Sequence, residues 1–335
     1  MSCITILGGG SWGTALAILC AQAREPHDVT LWVHDPQLAE GMKETRENSS
    51  YLPGQKIPAT VRVESNLATA MREAEIIVGA VPSVHARGIY REAFAHAQQE
   101  VSCVSATKGL EPETHARMSE VIAQAAGERK ISATIAVLSG PSFALEAARG
   151  EPTAVVLACE DESAARSLQQ KLGGPNFRLY TNTDVLGVEL SGAMKNVIAI
   201  AAGVCQGLGL GMNPLAALVT RGLAEMTRLA VALGAKADTL GGLAGLGDLV
   251  LTCTGTLSRN RYVGIELGKG RALPDVLGGM KMVAEGVGTT AALLCLARQN
   301  NVDLPIAAQV GAILAGTATP AAAIRNIMDR PQKSE

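Results

Sequence analysis

The sequence predicts an α/β protein, with a doubly wound, mostly parallel sheet in the N-terminal half and an all-α C-terminal domain. Three observations carry this prediction. The apolar run Ile4-Thr5-Ile6-Leu7 ends directly in Gly8-Gly9-Gly10-Ser11-Trp12-Gly13, and Ala- and Leu-rich helical sequence follows from Thr14. Short apolar segments then alternate with helical patterns as far as residue 183, which implies parallel strands joined by right-handed crossovers. From about Asp184 nearly everything has helical spacing, broken by glycines.

Gly8, Gly10 and Gly13 stand in the spacing Gly-x-Gly-x-x-Gly. The first glycine lets the strand stop in a tight turn. The second lets backbone approach a pyrophosphate, and the third lets the next helix pack near the strand. The unpaired N–H groups and dipole of that helix's first turn face the anion. The opening is thus a dinucleotide-binding, Rossmann-type unit. Residues 29–33 form the second strand, and the apolar run 75–81, stopped by Pro82, has the look of a strand buried on both faces. Residues 101–105 and 135–138 follow, with a helix expected over 112–125, and 153–158 and 177–180 complete the strands. Ligands on such a sheet lie beyond the carboxyl ends of the strands. Thr181-Asn182-Thr183-Asp184 offers several N-caps for the helical part, and glycines at 207–211, 241–242 and 278–279 mark its breaks. The domains expected are 1–185, binding a dinucleotide, and 186–335, all-helical and binding substrate, with the active site in the cleft between them.

Composition narrows the function. With 47% hydrophobic but only 3% aromatic residues, the core must be built from Ala, Val, Ile and Leu. A net charge of −2 without a basic run leaves no footprint for nucleic acid. Seven scattered cysteines, never in a Cys-x-x-Cys pair, fit a reduced cytoplasmic protein without disulfides or a metal site. The N-terminus has no charged region ahead of its apolar stretch, so it reads as mature structure and not as a signal peptide. The apolar segment 197–220 raises a membrane question. Its Gln206, Asn213-Pro214 and glycines favour a helix buried in a soluble domain over an integral membrane segment.

All five histidines lie within the first 115 residues, so no later histidine is available as an acid/base near the substrate. Lysine is the other side chain whose protonation responds to burial. Lys108 follows a buried strand in Ala106-Thr107-Lys108-Gly109-Leu110, at the ligand edge of the sheet. Lys195 interrupts an apolar helix in Ala193-Met194-Lys195-Asn196-Val197, where a charge is either paired and used or snorkels from the helix edge. Asp248 is the one carboxylate in the apolar stretch 244–254, and it either caps a helix or serves chemistry. Ser258-Arg259-Asn260 combines a helix cap, a cation and an amide. That is equally a phosphate site and a solvated basic turn.

Together these segments resemble the bacterial-type NAD(P)-dependent glycerol-3-phosphate dehydrogenases. The matching pieces are residues 8–16, 31–36, 106–110, 138–144, 194–199, 244–249, 258–260 and 283–286. The resemblance implies reversible reduction of dihydroxyacetone phosphate to sn-glycerol 3-phosphate for phospholipid synthesis, with NADPH or NADH as cofactor, no metal, and a homodimer. It implies that Lys195 is the acid/base at the C2 oxygen, with Lys108, Asp248 and Asn196 around the same oxygen. Ser258, Arg259 and Asn260 then hold the phosphate of this small substrate, with Gly140 and Ser142 lining its pocket. Ser11, Trp12, His34, Lys108, Ala144, Arg259, Val283 and Glu285 touch the dinucleotide, as do Gly8, Gly10 and Gly13. His34 ends the second strand, where an acidic residue reads a ribose. Its imidazole tolerates a 2′-phosphate, which points to use of both cofactors with NADPH preferred. The alternatives are a 3-hydroxyacid or 6-phosphogluconate dehydrogenase on the same scaffold, or a non-catalytic NAD(P)H-sensing module.

Overall fold

The computed structural model describes residues 1–332. The chain divides into two compact units, one of Met1–Glu111 with Ala116–Glu189, the other of Pro112–His115 with the residues from Leu190 onward.

The first unit is built on the strands β1 (Cys3–Leu7), β2 (Asp28–Trp32), β3 (Val61–Glu64), β4 (Ile76–Gly79), β5 (Glu100–Ser105), β6 (Ser132–Ser139), β7 (Thr153–Cys159) and β8 (Phe177–Asn182). They form one sheet in the order β3-β2-β1-β4-β5-β6-β7-β8. Every pairing is parallel except β6 with β7. Side chains alternate between the faces of each strand. Ile4, Ile6, Leu31, Val78 and Val104 build the core on one face, and Leu7, Ile77, Tyr90, Cys103 and Val121 the core on the other. Strand β3 is absent from the sequence expectation because its alternation covers only Val61-Arg62-Val63-Glu64.

The helix expected over 112–125 is corrected to Met118–Glu128. His115 takes a left-handed φ of 61° and Arg117 is extended, so helical backbone cannot begin earlier. Two carboxylates then cap the start. Glu120 accepts from the Arg117 N–H at 2.8 Å, and the buried Glu189 accepts from the Ser119 N–H at 2.8 Å.

The turn after β1 shows why its glycines are there. Gly8 has φ +118°, and a Cβ on it would lie 2.8 Å from the Ala80 carbonyl oxygen. A Cβ on Gly13 would run into the Gly8 carbonyl oxygen, whereas one on Gly10 would meet open space. The wholly buried Asn48 braces the turn from below. Its amide donates to the Gly9 carbonyl and to Thr14 Oγ1, both at 2.8 Å.

The second unit is helical. Asp184 caps the helix Val185–Gly207 by accepting from the Gly187 N–H at 2.9 Å. This helix is apolar and long enough to cross a membrane, but 89% of its apolar window is buried inside the chain. It crosses the helix Arg259–Gly268 at backbone contact. A Cβ on Gly203 would strike the Arg261 carbonyl, and one on Gly264 the Ile200 carbonyl. The spacings Gly203-x-x-x-Gly207 and Gly264-x-x-x-Gly268 are thus the small-residue seam of a close helix pair.

Glu225, on the helix Met212–Ala232, caps another helix, Pro305–Leu314, from outside. Its two carboxylate oxygens accept from the Ile306 and Ala307 N–H groups at 2.7 and 3.3 Å. Burial pushes its pKa up from 4.5 to about 7, against the pull of those N–H groups and Arg228 and with a small push from Asp303. The folded state therefore holds this proton more tightly than the unfolded chain. The stability that results is present below pH 4.5 and lost as pH rises through 7. Urea unfolding of wild type and Glu225→Gln between pH 5 and 8 tests this. The difference between them is expected to change by about 3 kcal/mol at most, with wild type losing ground as pH rises. A pH-independent difference refutes the assignment.

Candidate active site

The second unit carries a buried cation held by a carboxylate and a hydroxyl. Lys195 lies on the helix Val185–Gly207 and is only 6% exposed. Its Nζ donates to Asp248 Oδ1 at 2.5 Å and to Thr252 Oγ1 at 2.7 Å. Asp248 and Thr252 are themselves buried, on successive turns of the helix Asp248–Thr254, and the Thr252 hydroxyl donates to the Asp248 carbonyl at 2.6 Å. A π-helical turn, Leu243–Gly247, leads into Asp248. Such turns recur at functional sites. Lys195 does not snorkel, and Asp248 Oδ1 accepts from it. A buried ion pair is rarely the most stable filling for a core, so its presence points to chemistry.

Beside Lys195, Asn196 starts a relay of amides. Asn196 Oδ1 accepts from Asn260 Nδ2 at 2.9 Å, and Asn260 Oδ1 accepts from the Gly286 N–H at 2.9 Å. The relay ties together the helices Val185–Gly207, Arg259–Gly268 and Glu285–Gln299. Ser258 caps the helix Arg259–Gly268, its Oγ accepting from the Arg261 N–H at 3.2 Å. Arg259 opens that helix and donates to the Val283 carbonyl at 2.8 Å. Desolvation draws the Arg259 pKa below the ordinary guanidinium value while the charge of Glu285 draws it back, and the group remains a cation at neutral pH. Glu285 is the first residue of the helix Glu285–Gln299.

The first unit carries the other candidates at the carboxyl ends of its strands. Lys108, just beyond β5, donates from Nζ to the Gly140 carbonyl at 2.9 Å and approaches Ser142 Oγ at 3.5 Å. Gly140 follows β6 with φ +142°, and a Cβ there would lie 2.9 Å from Val155 Cα. Only glycine permits that turn. Trp12 and Ala144 pack against the same small cluster of Ala15, Ile18 and Leu52, beside Ser11 at the start of the helix Ser11–Ala21. That helix begins after Gly10 without a side-chain cap or an acidic residue in its first turn, and Trp12 Nε1 is buried without a partner. A bare helix N-terminus, room at Gly10 and an unused N–H suit a dinucleotide phosphate. His34 is exposed just past β2, its ring edge-on to Trp32 with centroids 5.7 Å apart. Asp35 is committed elsewhere. Its Oδ1 accepts from the Gln37 and Leu38 N–H groups at 2.9 and 3.3 Å, capping the helix Pro36–Thr45.

Among the described residues no three His, Cys, Asp or Glu side chains gather as a metal site. Two residues of these clusters escape the sequence motifs: Thr252, whose only signal is its spacing of four from Asp248, and Asn48, which has none.

The family model for the N-terminus of NAD-dependent glycerol-3-phosphate dehydrogenase matches residues 3–165, and its C-terminal counterpart matches 184–325. The chain belongs to the NAD-dependent glycerol-3-phosphate dehydrogenase family. The NAD(P)+ glycerol-3-phosphate dehydrogenase of Koribacter versatilis is 51% identical over 336 residues, covering 100% of this chain and 99% of its own. That of Citrifermentans bemidjiense is 47% identical over 332 residues, covering 99% of this chain and 98% of its own. The crystal structure of glycerol-3-phosphate dehydrogenase from Coxiella burnetii superposes with a TM-score of 0.92 at 38% identity, covering 98% of this chain and 99% of that one. D-mandelate dehydrogenase shares the fold alone, with a TM-score of 0.63 at 11% identity. Membership of the glycerol-3-phosphate dehydrogenase family makes the chain an NAD(P)-dependent oxidoreductase acting on a CH–OH group.

Proposed function

We infer that the protein reduces dihydroxyacetone phosphate to sn-glycerol 3-phosphate with NADPH or NADH, reversibly, and so supplies the backbone of glycerophospholipids. The observation that carries this reading is the buried Lys195 ammonium held by Asp248 and Thr252. The turn at Gly8, Gly10 and Gly13 with Ser11 and Trp12 would hold a dinucleotide, which would supply hydride to the ketone carbon. Lys195 gives a proton to the oxygen that becomes the alcohol, and takes it back in the reverse direction. Asp248 fixes the aim of Lys195, while Thr252 fills a second position around Nζ. Asn196 and Asn260 keep the neighbouring backbone in place, and Lys108 with Gly140 and Ser142 supports substrate binding. Ser258, Arg259 and Asn260 hold the phosphate at a helix N-terminus. The test is loss of NADPH absorbance on adding dihydroxyacetone phosphate. An equal loss with carboxylic ketoacids, or none with the phosphate, refutes this reading in favour of another dehydrogenase or a sensing module.

NADPH is the preferred cofactor in this reading. Its support is that Asp35 is spent on a helix cap, leaving His34 at the strand end. His34→Asp is expected to raise the ratio of kcat/KM for NADH over NADPH. A wild type that prefers NADH, with a ratio unmoved by the change, makes another residue the ribose reader.

The protein acts in the cytoplasm as a homodimer. Its seven free thiols support the first part. The second is supported by the uncharged stretch between Lys195 and Arg221, which leaves Met212 71% and Leu210 40% exposed at the start of the helix Met212–Ala232. A charge-free apolar face suits a two-fold contact, in which residues near the axis meet their own copies. Ala217→Arg is expected to convert a dimer to a monomer in sedimentation velocity at micromolar protein. An unchanged dimer moves the interface elsewhere.

A further inference from the structure

A cavity of about 550 Å³ opens between the helices Glu285–Gln299 and Pro305–Leu314, and none of its lining residues belongs to the catalytic cluster. Its volume is in the range of small-molecule sites. Small side chains, Ala291, Ala308, Gly311 and Ala312, keep it open, and Leu294 adds apolar surface. From Val287 to Arg298 the groove follows one helix for about 16 Å, at 1.5 Å per residue. It is therefore elongated.

Its polar side chains are unevenly committed. Thr290 donates to the Gly286 carbonyl at 2.6 Å, and Asp303 is ion-paired with Arg330. Arg228 adds a further cation by donating to the Asp303 carbonyl at 3.0 Å. The guanidinium of Arg298, exposed at the end of the groove, makes no hydrogen bond or ion pair among the described residues. An apolar trough thus ends at an uncommitted guanidinium, and its one carboxylate, Asp303, is already paired with Arg330. We propose that this groove binds an amphiphile with one unbranched alkyl chain and a carboxylate head, the chain lying along Ala291, Leu294 and Ala312 and the head on Arg298. A neutral chain leaves the cation unmatched, and a cationic head is repelled by it. The wall helix also begins at the Asn196–Asn260–Gly286 relay, so an occupant lies along the support of the catalytic cluster.

Calorimetric titration of the full-length protein with dodecanoate, below its micelle threshold, tests this without any turnover and so independently of the catalytic reading. Saturable binding of one molecule per chain is expected, with dodecanol and dodecyltrimethylammonium binding more weakly. Arg298→Gln is expected to weaken dodecanoate ten- to a hundredfold, the worth of one charge-assisted hydrogen bond. Ala312→Phe is expected to remove binding by filling the trough. Both variants should unfold at the wild-type temperature and keep their affinity for NADPH. Absence of saturable binding, or equal affinity in wild type and both variants, overturns the proposal. So does a smaller species for Ala312→Phe in sedimentation, which assigns the groove to a second copy of the chain.

Discussion

Lys195→Ala is expected to lower kcat by about 10²–10⁴-fold or more while leaving NADPH binding nearly unchanged. Positioned proton transfer accounts for that range, and loss of a cation beside the developing alkoxide adds to it. The cofactor-side residues Gly8, Gly10, Ser11 and Trp12 belong to the other compact unit, so fluorescence titration with NADPH is the control. Asp248 complicates the single variant. With Lys195 gone its carboxylate is buried at 1% exposure without its cation, and breaking a buried pair costs about 3–5 kcal/mol. The double variant Lys195→Ala/Asp248→Asn removes that orphaned charge. It should regain part of the lost stability and recover none of the kcat. A Lys195→Ala protein retaining more than about a tenth of normal kcat shows that another group moves the proton.

Legibility in the sequence followed the range of the interactions. The glycine turn, the alternation of strand and helix, and the Ser258 cap are local, so their spacing already contains them. Lys195 was conspicuous because a charge inside an apolar helix is costly, but its partners were not. The bond to Asp248 spans 53 residues, and no periodicity records it. Thr252 was visible only as a residue four places after Asp248, a spacing shared by much of any helix. The start of the helix Met118–Glu128 was misplaced for the same reason. One of its two capping carboxylates, Glu189, lies seventy residues away, and a left-handed residue, His115, interrupts a pattern that otherwise reads as helical. Glu225 caps the helix Pro305–Leu314 from 81 residues away in the same manner. The Gly203/Gly264 crossing is a different case. Its signal, two Gly-x-x-x-Gly spacings, is present in the sequence and becomes meaningful once the two helices are known to meet.

Arg259→Ala is expected to lower kcat/KM for dihydroxyacetone phosphate by about ten- to a hundredfold, and for unphosphorylated dihydroxyacetone far less. One charge-assisted hydrogen bond to a phosphate contributes roughly 1.5–3 kcal/mol, which sets the size of the effect. The surroundings make this an informative variant. Arg259 follows the Ser258 cap, where free N–H groups and the helix dipole already favour an anion. Those groups survive the substitution, so binding of the phosphate should weaken and not vanish. Arg259 also holds the Val283 carbonyl at 2.8 Å, next to residues assigned to the dinucleotide. A modest rise in KM for NADPH should therefore accompany the substrate effect. Arg259→Lys separates the two contributions. It keeps the charge but loses the planar fork, and should recover more of the phosphate binding than of the tie to Val283. Equal losses for the phosphorylated and unphosphorylated ketones place Arg259 outside the phosphate site.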